Sequence, residues 1–224
     1  TTTLKANGLA YVIKGEVNVV PGSTLTFEPQ TIVKGHANFN NNSGKLRVKN
    51  GGKIFFNGST STDLMLTSLY DDSVGGDADN AVNTPAAGDW YGMVIENGGA
   101  MDMKGLTLRY AGGLITGSDI DIKAGIRVAG DGVKIDAAIL ENNFQNGIRF
   151  APTANVFSIK NTTVRNHTQK TSDQAVGVMV VGAGGVLENM TFSGNELDIK
   201  ASSGYSMNLT NCNCGSPTTD PNPL

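Results

Sequence analysis

Between Thr67 and Trp90 the chain reads TSLYDDSVGGDADNAVNTPAAGDW, and Asp71, Asp72, Asp77, Asp79 and Asn80 place several hard oxygen donors within ten residues. Carboxylate and amide oxygens at that density suit Ca²⁺, and Gly75 and Gly76 permit the sharp turns that would let them converge. The spacing is not that of an EF-hand, whose twelve-residue loop ends on Glu. The competing reading is that Asp, Asn and Gly are ordinary turn residues. Trp90, the only tryptophan, is followed by Tyr91. An open Trp–Tyr pair is a platform on which a pyranose can stack; a packed one would close the fold beneath the loop, and the packed arrangement is preferred.

Glycosidic bond cleavage needs two carboxylates flanking a cleft. Among the acidic residues further along the chain, only Asp119 and Asp121, in GSDIDIK, form a compact pair, and the inserted segment 111–124 around them would lengthen that part of the chain into one wall of a cleft. They are the alternative catalytic pair; as neighbours on one face of a surface strand they read more simply as solvated spacers. The two histidines, His36 and His167, have no companions at metal-ligand or triad spacing, and no serine carries a nucleophile-elbow motif. Cys212 and Cys214, one residue apart, are too close for an unstrained disulfide and too few for zinc.

With a net charge of −3 and no Lys/Arg cluster, the chain lacks the electrostatic footprint of a nucleic-acid binder. It has no apolar run of the ~20 residues that span a bilayer. Its 29 glycines, 6% aromatic and 17% charged residues suit many short strands joined by tight turns.

Those elements repeat. Segments starting at Gly92, Gly125, Gly147 and Gly177 share one plan: a Gly-led strand, a turn, a second strand, and a third strand ending near Asn or Gly. A fifth segment starts at Leu197 without the glycine. Within strands the alternation is of period two, as in Ile126/Val128, Ile148/Phe150 and Val178/Val180. A three-strand phrase that returns without fixed period is expected of coils stacked on one another, each burying a face that it could not bury alone. Stacking predicts columns of like residues in the third strand: inward Leu108, Leu140, Val164, Phe192 and Leu209; at the bend Tyr110, Asn142, Asn166, Gly194 and Asn211; and between them, outward, Arg109, Glu141, Arg165 and Ser193, where opposite charges one coil apart would pair. The predicted fold is all-β, a right-handed parallel β-helix over residues 1–214 with the loop 68–90 inserted, and residues 215–224 as a Pro-rich tail or linker.

The opening phrase VNVVPGSTLTFEPQTIVKG resembles the first coil of right-handed parallel β-helix repeat domains of large bacterial surface and adhesin-like proteins, with Gln30 where those have Gly. The acidic loop through Trp90 is similar to one found in the same proteins. The resemblance supports the architecture and a secreted or cell-surface setting; taken with the weak catalytic candidates, the expected protein is a non-catalytic module, structural or adhesive, whose partner would be a surface glycan or a host or cell-surface protein, with the Pro-rich tail pointing to a larger chain and the acidic loop making calcium the one cofactor to test. Because right-handed β-helices also include polysaccharide lyases and glycoside hydrolases, an enzyme of that type is the alternative, and fold alone does not choose between them.

Overall fold

A short amphipathic strand has one apolar face and no partner of its own, so these phrases become stable only when each lies on the one before. The computed structural model describes residues 1–36, 44–113, 123–168, 174–182, 184–202, 207–214 and 218–220. Asp119 and Asp121 lie outside them. Within them the chain is all-β, and its strands form three sheets of eight, seven and eight strands in which every pairing is parallel. As far as Asn208–Thr210, successive strands visit the three sheets in turn, so neighbours within a sheet are one full coil apart. This is a parallel β-helix.

The first sheet runs through Thr2–Leu4, Thr24–Phe27, Lys53–Asn57, Ala100–Lys104, Val133–Asp136, Phe157–Lys160, Gly185–Glu188 and Asn208–Thr210. The second is built from Tyr11–Ile13, Ile32–Gly35, Leu64–Ser68, Leu106–Arg109, Ile139–Glu141, Thr163–Arg165 and Thr191–Ser193. The third takes Glu16–Val19, Lys45–Val48, Gly92–Ile95, Ala124–Val128, Asn146–Phe150, Val176–Val180, Leu197–Ser202 and Thr218–Asp220. Thr218–Asp220 pairs with Lys200–Ser202, so the third sheet continues past Gly215, where the sequence reads as tail.

Inward side chains form the expected columns. Leu66, Leu108, Leu140, Val164 and Phe192 are in register, and all are buried. Leu209 does not join them: it sits in the first sheet beside Leu187, and Asn211 follows it at a different corner. The reason is that two corners use the same phrase. Leu187-Glu188-Asn189, at the first corner, and Leu140-Glu141-Asn142, at the second, both read apolar, charged, then Asn at positive φ.

At the corner between the first and second sheets, Gly105, Ala137, Asn161, Asn189 and Asn211 all have φ between 48° and 66°. Asparagine tolerates this left-handed region better than most residues, and its amide can bond along the stack. Asn161 Nδ2 donates to Asp136 Oδ1 at 2.8 Å, Asn189 Nδ2 to Asn161 Oδ1 at 2.9 Å, and Asn211 Nδ2 to Asn189 Oδ1 at 3.2 Å. Between the second and third sheets Tyr110, Asn142, Asn166 and Gly194 adopt the same conformation. Gln30, too, has φ of 65°, so the turn survives without the glycine of the resembling phrases.

The leading glycines have a steric origin. A Cβ on Gly125 would lie 3.0 Å from Asn143 Cγ, one on Gly147 would collide with the His167 imidazole, and one on Gly177 would meet the Asp198 carbonyl at 2.6 Å. A side chain from the second sheet or its corner (Asn143, His167 or Phe192), together with a backbone carbonyl of the next coil, crowds each of these positions, leaving room only for hydrogen. On the outer surface of the first sheet, Lys104, Asp136, Lys160 and Glu188 alternate in register, with a 2.6 Å contact between Lys160 and Glu188.

Candidate functional site

The second sheet's outward column runs Lys34, Thr67, Arg109, Glu141, Arg165. Outward residues of a solenoid normally meet water, yet Lys34 and Thr67 are both 0% exposed. What covers them is the segment 69–91, which leaves the strand Leu64–Ser68, folds back over the neighbouring coil and returns to begin the strand Gly92–Ile95. At Gly75 the segment lies against Ala10 and Ile32, and the Lys34 ammonium donates to the Gly76 carbonyl.

The outgoing limb is clasped at Asp71, which is 2% exposed. Its carboxylate accepts from Arg109 Nε at 2.8 Å and contacts Nη2 at 2.6 Å, and it also accepts from the hydroxyls of Thr67 and Ser73. Burial pushes the Asp71 carboxyl upward, but the two hydroxyls and the guanidinium outweigh it and hold its pKa below the usual carboxylate value. Arg109 also reaches Glu141 at 3.6 Å, and Glu141 pairs with Arg165 at 2.7 Å. The pairing expected along this column is therefore present, and it extends into the loop. A second belt on the third sheet joins Lys45 to Glu16, Glu16 to Arg47, Arg47 to Glu96 and Glu96 to Lys49, at 2.7–3.1 Å.

The returning limb is clasped at Asp89, whose Oδ2 accepts from Ser68 Oγ at 2.7 Å and from the Ala86 amide at 2.8 Å. Trp90 follows, 0% exposed, its Nε1 donating to the Arg109 carbonyl at 2.9 Å. The indole occupies the space in front of Gly35, where a Cβ would stand 2.5 Å from the ring. Tyr91 is 4% exposed, and the Lys45 ammonium lies 4.4 Å from the centre of its ring. A sugar platform needs open ring faces; Trp90 and Tyr91 have none, and Trp90 does what the packed reading expects.

The five oxygen-bearing residues of the loop divide. Asp71 is paired with Arg109 and is not among the carboxylates that converge, as burial of a carboxylate favours a cationic partner. Asp72, Asp77 and Asp79 come together, one carboxylate oxygen of each lying within 4.8 Å of the others. Asp77 Oδ1 also accepts the amides of Asp79 and Asn80, and Asp79 accepts from the Ala81 amide and Asn83 Nδ2. Against a desolvation penalty, the amides of Asn80 and Asp79 hold the Asp77 carboxyl below its usual value. Asn80 contributes its backbone, at φ 55°, to this turn. Three carboxylates at this separation could share one hard cation.

Two elements of the site escape sequence reading. Lys34, in TIVKG, looks like any outward lysine, and only the loop's path buries it. The Asp71–Arg109 clasp was accessible in principle: carrying the column back one coil from Arg109 reaches Thr67, four residues before Asp71. Cys212 and Cys214 are both free thiols.

Compared with known families and with curated proteins, the chain matches no family model and no curated sequence. The described residues define a class of architecture, a parallel β-helix with a long loop clamped on its flank.

Proposed function

We propose that this chain is a non-catalytic extracellular module of a bacterial surface protein, a right-handed β-helix serving as stalk or adhesin, with contacts to a surface glycan or to a host or cell-surface protein. The observation that carries this reading is the use of charge. Glu16, Asp71, Glu96, Glu141 and Glu188 are each spent on a cation from their own or an adjacent coil, which stiffens the stack along its axis and leaves these carboxylates unsuited to acid–base work. Right-handedness is the hand that parallel crossovers take.

The test is incubation with a panel of acidic and neutral polysaccharides, read by new reducing ends and by ultraviolet absorbance of unsaturated products, alongside retention on the same glycans immobilised. Binding without product is the expected result. Either product would overturn the reading in favour of a lyase or hydrolase, with Asp119 and Asp121 as the first residues to change. Because Trp90 is buried, its fluorescence is not a suitable reporter of sugar.

The carboxylate group in the loop favours a further element of this reading, a Ca²⁺ ion held by Asp72, Asp77 and Asp79. Titration calorimetry with Ca²⁺ at millimolar concentration should detect binding, and chelator should lower the melting temperature. A D77N/D79N variant should lose both effects. No heat, together with a melting temperature indifferent to chelator, would refute it.

A further inference from the structure

Equivalent inner positions at the corner between the second and third sheets are held by Ala111, Asn143, His167 and Asn195, each three residues beyond the register-matched Leu108, Leu140, Val164 and Phe192. The two asparagines do the same work. Asn143 Oδ1 accepts the Ala111 amide at 2.9 Å and its Nδ2 donates to the Leu108 carbonyl at 3.5 Å. Asn195 Oδ1 accepts the His167 amide at 3.3 Å and its Nδ2 donates to the Val164 carbonyl at 2.9 Å. Each amide therefore ties its own coil to the one before through one acceptor and one donor.

His167 fills this position with half the chemistry. Its Nδ1 accepts the Asn143 amide at 3.2 Å, in the place of an asparagine oxygen. That contact puts the proton on Nε2, and Nε2 is buried with no hydrogen-bond partner, pressed against the Cα of Gly147 where no side chain would fit. The ring is 3% exposed. Among the described residues Nε2 has no acceptor, and a ring so deeply buried would lose the hydration that a charge needs.

We infer that His167 makes one level of the stack acid-labile: protonation of its imidazole expels the ring from the corner and releases the coils that follow it, while the coils before it stay paired. A solenoid allows this because each coil contacts only its neighbours, so breaking one level separates the chain into two stability units. The sign follows from burial, which holds the imidazole down to about 3 from an ordinary value near 6.5. As pH falls below about 6.5 the opened corner binds a proton that the closed corner does not, so opening becomes more favourable by up to about tenfold per pH unit until the closed form itself titrates. Among the described residues, the charged and titratable side chains on the surrounding elements are Glu141 and Arg165 on the outer face of the second sheet, Lys123, Arg149 and Asp198 on the third-sheet side, and Glu196 at the next corner. All of them remain when His167 is replaced, so a substitution there isolates the imidazole.

The experiment compares wild type with His167→Asn, the residue that already holds the two equivalent positions, by hydrogen exchange from pH 7.5 to 4.5 with rates corrected for intrinsic exchange. A wild-type-like melting temperature of H167N at pH 7.5 verifies its fold. In the wild type, protection across 176–202 should fall at least tenfold more than protection across 45–109. In H167N the two regions should change together. Equal loss in wild type and H167N, uniform loss along the wild-type chain, or a folded-state imidazole titrating near 6.5 by NMR would each overturn the inference.

Discussion

Substituting methionine for Arg109 should lower the stability of the protein by about 3–5 kcal/mol at pH 7, the range expected when one partner of a buried ion pair is removed and the other is left behind. The cost falls on Asp71, which keeps its burial and two hydroxyl donors but loses its cation. Glu141 loses a weaker contact at 3.6 Å and retains Arg165. The pH dependence has a definite sign. Because the Asp71 carboxyl is held below its usual value in the folded protein, the pair contributes fully above the unfolded value of about 4 and is lost as pH falls through the folded one. The gap between wild type and R109M should therefore narrow below about pH 4. Adding Asp71→Asn should recover part of the loss at pH 7, since the amide needs no counter-charge. Thermal melts by circular dichroism at pH 7 and pH 3.5 check all three statements. A loss under about 1 kcal/mol would mean that the clasp behaves as an exposed pair.

Trp90→Ala is expected to cost a comparable amount, about 3–5 kcal/mol, for a different reason. The indole is the largest fully buried side chain and faces a glycine, so neighbouring groups have little to move into its place. Trp90→Phe should cost less, since most of the ring remains, but it strips the Arg109 carbonyl of its Nε1 donor. Both R109M and W90A act on the same clamped segment, one at each end, so the double variant should lose less than the sum of the single ones. Differential scanning calorimetry of the four proteins measures this. Strict additivity would show that the two ends of the loop are held independently.

The architecture was legible in the sequence because its signals are local and repeated. A glycine opening four of the phrases, period-two alternation and an asparagine at many of the bends follow from strand geometry and corner sterics, and the register of Leu108, Leu140, Val164 and Phe192 could be read by aligning phrases. The misplacement of Leu209 and Asn211 marks the limit of that method, since two corners with identical requirements select the same three residues. The loop was legible as a loop but not in its path. Whether Asp71 points outward to a cation or inward to Arg109 depends on where the segment lies relative to a neighbouring coil, and composition carries no trace of that. Trp90 was ambiguous for the same reason; its partner is an absence of side chain at Gly35, fifty-five positions earlier in the chain.

The parallel register of all three sheets bears on how such an object would respond to tension. Its backbone hydrogen bonds point along the long axis, so a force applied at the two extremities loads successive levels in series while the three walls at each level share it. Such a rod gives way at its weakest storey, and each storey that peels off feeds out slack. From Val133 to Phe157 and from Phe157 to Gly185 the advance is 24 and 28 residues, which corresponds to roughly 80–100 Å of extended chain per step. A stack of this kind would lengthen under load in discrete increments before it breaks.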